Sequence, residues 1–208
     1  MIDRYWVEGA INGGPLGSST RFFLYDSLGN SHISGTTSAQ FIRDLGRAPV
    51  GPVEVHLDST GGSALGALEI FDALQKRPGG VVTYVDGQAR SGASILLQAG
   101  TIRRMHREAA IEVHRPYVAD RDMPKDAATR RAVRNKLDEI ERFMANTYSA
   151  RSDLTPAQWH KMMAANTVFD AENAFRAGLV DDIFGIGVCD IPPMVSLHRE
   201  LETAGVLR

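Results

Sequence analysis

Between residues 53 and 99 the chain alternates short apolar runs with helical patterns, and few folds accommodate that order. Val53-Glu54-Val55-His56-Leu57-Asp58 reads as a strand and Ser59-Thr60-Gly61-Gly62-Ser63 as the turn after it. From about Ala64 to Gln75, the residues Leu65, Leu68, Ile70, Phe71 and Leu74 give a helix with a broad apolar surface. Pro78-Gly79-Gly80 breaks the chain. Gly80 to Val85 then reads as a second buried strand, and Ala93 to Ala99 as a second helix. Strand–helix–strand–helix predicts an α/β fold, a parallel sheet with crossover helices.

The second handover from strand to helix carries chemistry as well as topology. Gly87-Gln88-Ala89-Arg90-Ser91-Gly92-Ala93-Ser94 places Ser91 among small residues where the strand gives way to the helix. A helix start exposes backbone N–H groups with no intrahelical partner. A serine held there has an anion site beside its hydroxyl, as acyl transfer requires for its oxyanion. The same small residues also suit a turn that merely lets strand and helix pack closely. Taken alone, the turn leaves both readings open.

Around this centre, Tyr5 to Ile11 and Arg21 to Tyr25 read as strands joined by a flexible connection, Gly13 to Ser19. They form a hairpin-like unit over residues 1–35, closed by a turn at Ser27-Leu28-Gly29-Asn30. Ser38 is expected to cap a short helix carrying Phe41, Ile42 and Leu45. Arg103 to Glu108 is polar, and Ala109 to His114 is a short strand ending in a histidine. The longest helical signal, about Pro124 to Ala150, lacks glycine and bears one stripe: Val133, Leu137, Ile140, Met144 and Tyr148. Such a stripe fits either a projecting element packed on a partner or an ordinary surface helix. Thr155-Pro156 opens another helix. Asp170 caps a last one, Ala171 to Ala177, closed by Gly178. Leu179 to Ile183 is a final strand, and a tail with Pro192-Pro193 and a weak amphipathic segment runs on from Gly185.

Composition narrows the function classes. A length of 208 residues fits one domain, and 43% hydrophobic with 23% charged residues is ordinary for a globular protein. A net charge of -2 gives no polyanion-binding signature, so no nucleic-acid partner is expected. A single cysteine, Cys189, rules out an intrachain disulfide and fits a reducing compartment. No signal-peptide pattern opens the chain and no apolar run approaches a membrane span, so a cytoplasmic location is expected. No cofactor or metal is expected.

Four motifs, in order, resemble those of ClpP-type serine peptidases: Gly61-Gly62-Ser63, the Gly87 to Ser94 turn, Ile111-Glu112-Val113-His114-Arg115-Pro116, and Ala171 through Asp181. The resemblance covers residues 53 to 184. It implies a ClpP/crotonase-like fold of stacked ββα units with a protruding long helix, in one domain spanning 1–208. In that domain, residues 53–118 and 155–184 would form the catalytic head, 124–151 a handle-type helix and 185–208 a C-terminal tail. It also implies homo-oligomeric rings acting on peptides or unfolded proteins, through an acyl-enzyme. Residue by residue, Ser91 matches the nucleophile, His114 the general base, and the backbone N–H groups of Gly62 and Gly92 the oxyanion donors. The remaining histidines, His32, His56, His106, His160 and His198, lack a comparable motif, and His106 is the reserve candidate.

Two departures qualify the resemblance. The family usually has an aspartate where Asn166 stands, twelve residues before Gly178. Asn166 can accept a hydrogen bond from His114 and hold its tautomer, but it cannot offset the charge of an imidazolium. In a serine triad that exchange can cost about four orders of magnitude in rate. A catalytically weak or inactive ring-forming paralogue is therefore an alternative. At the N-terminus, strand-like sequence by Tyr5 replaces the flexible axial segment of ATPase-coupled subunits. That puts docking to an AAA+ unfoldase in doubt and makes a stand-alone or phage capsid-maturation-type peptidase, acting without an ATPase, an alternative. A crotonase-type acyl-CoA enzyme shares the two-amide oxyanion site but works with carboxylates, and the serine and histidine motifs argue against it.

Overall fold

The computed structural model describes residues 5–29 and 35–185. Its N-terminal part comprises strands β1 (Tyr5–Gly14) and β2 (Gly17–Leu24), two short strands β3 (Leu28–Gly29) and β4 (Thr36–Thr37), and helix α1 (Ser38–Arg47). The alternating centre comes next as β5 (Val53–Ser59), α2 (Ala64–Gln75), β6 (Val81–Arg90) and α3 (Gly92–Leu97). Strands β7 (Ile102–His106) and β8 (Ala110–Val113) lead through a 3-10 turn at Asp120–Asp122 into the long helix α4 (Ala127–Ser149). The chain then runs through α5 (Pro156–Ala164), β9 (Thr167–Phe169), α6 (Ala171–Arg176) and β10 (Asp182–Phe184).

The expected parallel sheet is present, in the order β1-β2-β5-β6-β7-β10. Among the described residues, only the β1–β2 and β8–β9 pairs are antiparallel within it. Strand β6 organises the site because it changes partner along its length. Val82 to Val85 pair with β7, whereas Gln88 to Arg90 pair with β8. On its other edge, Leu57 pairs with Val85 but Ser59 pairs with Ala89, so β6 carries two extra residues there. Such a bulge bends a strand and re-aims the residues beyond it. Here it directs the end of β6 and Ser91 away from β7 toward β8.

The inner face of the sheet meets α1, α2 and α3 over fully buried Phe22, Val55, Leu57, Ile70 and Leu96. A second part of the core lies under α4 and α5, where the Tyr148 and Trp159 rings stand 5.0 Å apart. Within the helical stripe, Ile140, Met144 and Tyr148 are buried, while Val133 and Leu137 are half-buried. The C-terminal half of the stripe therefore packs on its own chain. The caps behave as capping chemistry requires: Thr155 with Gln158 forms a capping box, and Asp170 accepts the Asn173 N–H at 2.8 Å.

Several local expectations are corrected. The connection at 13–19 is not a loose loop: Gly14 pairs with Gly17, leaving only Pro15 and Leu16 as the turn. The cap of α1 is Thr37, whose side chain accepts the Gln40 N–H, and Ser38 is the first helical residue. The polar run after residue 102 is strand β7. It hides as polar because Arg103 points inward, only 2% exposed, and is neutralised there by Asp181 at 2.6 Å. Thr167–Phe169 is a strand that the run of helix signals around it conceals. The last strand begins at Asp182, three residues later than expected, because the Leu179 N–H closes α6 on the Ala174 carbonyl at 2.9 Å. Cys189, His32, His198 and the tail from 186 lie outside the described residues.

Candidate active site

Ser91 is the N-cap of α3, and its backbone is strained, with φ 52° and ψ -123°. A non-glycine residue in that region costs on the order of 1–3 kcal/mol and is held there by its surroundings. Its N–H is tied to the Glu112 carbonyl of β8 at 3.0 Å. The side chain makes no capping bond, so the hydroxyl stands at a sharp strand-to-helix turn with its oxygen free among the described residues. Strained strand-to-helix turns of this kind present the nucleophile in α/β-hydrolases.

The loop after β5 approaches that turn closely. A Cβ at Gly61 would lie 2.4 Å from the Arg90 carbonyl oxygen, and one at Gly62 would lie 2.2 Å from that of Leu28. Both glycines also have positive φ, 82° and 137°. Only glycine fits either position. Leu28 is bridged to this loop through its N–H to the Gly61 carbonyl and its carbonyl to the Ser63 N–H. Gly62 contributes nothing to that bridge, since successive peptide groups of an extended segment face opposite ways. Among the described residues, its N–H and that of Gly92 have no protein acceptor.

His114 leaves β8 by one residue and keeps its Nδ1 2.8 Å from the Arg115 carbonyl oxygen. A carbonyl can only accept, so this bond requires Nδ1–H and leaves the lone pair on Nε2. That is the tautomer a general base needs. Ser91, His114, Gly62 and Gly92 line one cavity of about 590 Å³. Its other walls are mostly apolar, with Leu65 and Leu68 from α2 and Val133, Leu137, Ile140 and Met144 from α4, while Thr60, Ser63 and Tyr117 also line it. Lys136 lines it as well, bonded to Glu139 at 2.9 Å. No hydrogen bond joins the Ser91 hydroxyl to the His114 ring. Such contacts are often long in unliganded sites and tighten when substrate binds.

Asn166 comes directly after the C-cap of α5 with φ 52°, a left-handed conformation that asparagine tolerates. It is exposed, its N–H bonds the Met163 carbonyl at 3.2 Å, and its side chain makes no bond to His114. The two residues are nevertheless neighbours by register. β8 and β9 pair Ile111 with Phe169, Glu112 with Val168 and Val113 with Thr167, where the pairing ends, so His114 and Asn166 are the next residues on the two segments. The Arg115 N–H also bonds the Met163 carbonyl at 3.2 Å, linking the two segments again.

The other histidines have separate surroundings. His106 accepts the Glu108 N–H and packs on Phe184, outside the cavity. His56 bonds Asp86 at 2.8 Å and lies between the Phe23 and Tyr84 rings on the outer face of the sheet. His160 bonds Glu141 at 2.9 Å. Among the described residues, no group of three or more metal-binding side chains occurs, and no helix is long and apolar enough to cross a membrane.

Comparison with known proteins converges on one family. A family model described as Clp protease matches residues 18–186. The ATP-dependent Clp protease proteolytic subunit 4 of Rhodococcus jostii is 29% identical over 198 residues, covering 88% of this chain and 98% of the relative. The proteolytic subunit 1 of Corynebacterium efficiens is 27% identical over 149 residues, or 70% of each chain. A putative proteolytic subunit-like protein of Streptomyces coelicolor is 31% identical over 145 residues, covering 66% of this chain and 65% of the relative.

Proposed function

Because the chain belongs to the Clp protease family, we propose that it is a serine endopeptidase whose nucleophile is Ser91 and whose general base is His114. The observation that carries this reading is the pairing, around one cavity, of a strained serine with a free hydroxyl and a histidine held as the Nε2 base. Ser91 Oγ attacks the carbonyl carbon of the scissile peptide while Nε2 takes its proton. The oxyanion that forms is met by the Gly62 and Gly92 N–H groups, which have no competing acceptor. His114 returns the proton to the leaving amine, and an acyl-enzyme on Ser91 remains. Water, deprotonated by His114, then releases the acid. The apolar walls of the cavity suit an apolar substrate side chain beside the scissile bond.

Asn166 is the third member in this reading. The β8–β9 pairing, which ends at the residues next to His114 and Asn166, supports a role for its amide oxygen as acceptor of Nδ1–H when the ring leaves the Arg115 carbonyl. The substrates are peptides or unfolded proteins, and the active form is a homo-oligomeric ring.

A fluorophosphonate probe tests the core of the proposal. Ser91 should be modified in the assembled protein, and the label should vanish in Ser91→Ala. An unlabelled parent protein would sink it. The second reading, an attenuated ring-forming paralogue, is favoured by one observation: neither Ser91 nor Asn166 is hydrogen-bonded to His114. An intact oligomer with no hydrolysis, even after Asn166→Asp, would select it.

A further inference from the structure

Ser94 and Tyr148 take no part in the chemistry proposed for the site, yet both are wholly buried and their hydroxyls lie 2.7 Å apart. The Ser94 oxygen is also 2.5 Å from the Ser91 carbonyl oxygen. A carbonyl only accepts, so the single Ser94 proton is committed to it, and Tyr148 must donate to Ser94. The relay thus has one direction, from Tyr148 O–H to Ser94 O–H to Ser91 C=O. Burial pushes the Tyr148 phenol up, so it stays protonated and able to donate. The Ser94 N–H bonds the same carbonyl at 3.0 Å.

The Ser91 carbonyl and the Gly92 N–H belong to one planar trans peptide and point in opposite directions. Whatever fixes the carbonyl oxygen from the interior fixes the N–H on the side of the cavity. The strain at Ser91 makes that restraint necessary, because a residue at φ 52° rotates away unless it is held. Resting on the reading of the Gly92 N–H as an oxyanion donor, we propose that Ser94 and Tyr148 are positioning residues that clamp the Ser91–Gly92 peptide in its working orientation. Through Tyr148, the long helix α4 is thereby coupled to the oxyanion hole. Since α4 also forms an apolar wall of the cavity, a shift of this helix would reach substrate and oxyanion donor together.

The test uses the full-length protein with Ser94→Ala, Tyr148→Phe and the double variant. Tyr148→Phe keeps the ring packed on Trp159 and removes only the hydroxyl. Ser94→Ala strands the buried Tyr148 hydroxyl and should destabilise the protein, whereas the double variant removes both polar groups and should regain the parent's urea midpoint. Four readouts are compared: the urea midpoint, the rate of Ser91 labelling by a fluorophosphonate, kcat and KM for a fluorogenic peptide, and inhibition by a peptide boronate. The boronate adduct is tetrahedral and places an oxygen in the hole.

Losing an oxyanion donor outright costs roughly 100- to 1,000-fold, so loosening one should cost roughly tenfold. All three variants should therefore label about tenfold more slowly and bind the boronate about tenfold more weakly, with KM little changed. The decisive case is the double variant, which should recover stability without recovering rate. Recovery of both would assign the pair a structural role alone and overturn the inference, as would parental labelling rates in all three. Lack of labelling in the parent would instead remove the reading of the site, and this inference with it.

Discussion

Asn166 stands where the resemblance expects an aspartate, and its surroundings limit what the exchange costs. A serine triad with asparagine loses rate largely because the histidine takes the wrong tautomer. Here the Arg115 carbonyl already holds Nδ1–H, so the tautomer survives without a third side chain. In the proposed mechanism, what is missing is a negative charge facing the imidazolium of the transition state. Asn166→Asp should supply it from the segment that β9 brings beside His114, and aspartate tolerates the left-handed backbone nearly as well as asparagine. We expect kcat to rise by about tenfold or more with KM little changed, measured on a fluorogenic peptide. A flat response would mean that the residue at 166 does not reach the ring during turnover. As candidates, Ser91 and His114 stand out in the sequence because each sits inside a short motif at the end of a strand. The Ser94–Tyr148 bond is not, since its partners lie 54 residues apart and each alone resembles ordinary packing: a small residue in a turn and the last apolar position of a stripe.

At the scale of elements, α4 serves two environments along one stripe. Ile140, Met144 and Tyr148 are buried, and the first two also wall the cavity, whereas Val133 and Leu137, at the N-terminal end, line it while half-buried. Helical spacing predicts the stripe but cannot say what it faces, because a substrate, a partner and a core ask for the same side chains. The geometry separates the cases. Leu137→Asp should leave the oligomer size unchanged by sedimentation and raise KM for an apolar peptide severalfold, since a charge would then face the substrate side chain. Ile140→Ala should instead lower stability by about 2–5 kcal/mol, as expected for a buried large-to-small change, read from urea unfolding. A smaller oligomer in Leu137→Asp would reassign this end of the stripe to a subunit contact. The same limit explains why β7 is hidden in the sequence. Its inward position is an arginine, and only the distant Asp181 makes that acceptable.

Across the whole molecule, Arg103 joins parts of the chain that the sheet alone does not. Its guanidinium bonds Gln98 just after α3, the Gly178 carbonyl after α6, and Asp181 before β10. Arg151, just after α4, bonds the Gly100 carbonyl at 2.6 Å and Asp181 at 3.2 Å. The ends of three helices therefore meet at one ion pair, with the arginine buried and the aspartate a third exposed. This asymmetry orders the costs of breaking it. Asp181→Asn leaves a buried guanidinium without its counter-charge and should cost about 3–5 kcal/mol. Arg103→Met leaves a partly exposed carboxylate that still has Arg151, so it should cost less. The pH dependence comes from the same contacts. Burial alone would raise the Asp181 pKa, but the hydrogen bonds and charge of Arg103 hold it below the ordinary 3.8. A depressed carboxylate contributes stability that is fully present above the unfolded value and is lost as pH falls through the lower folded value. The stability gap between the parent and Asp181→Asn should therefore be constant near neutral pH and shrink on acidification below about 3.8. Urea unfolding of both proteins across that range measures it. A gap that persisted at the acid end would mean that Asp181 acts there through hydrogen bonding rather than through its charge.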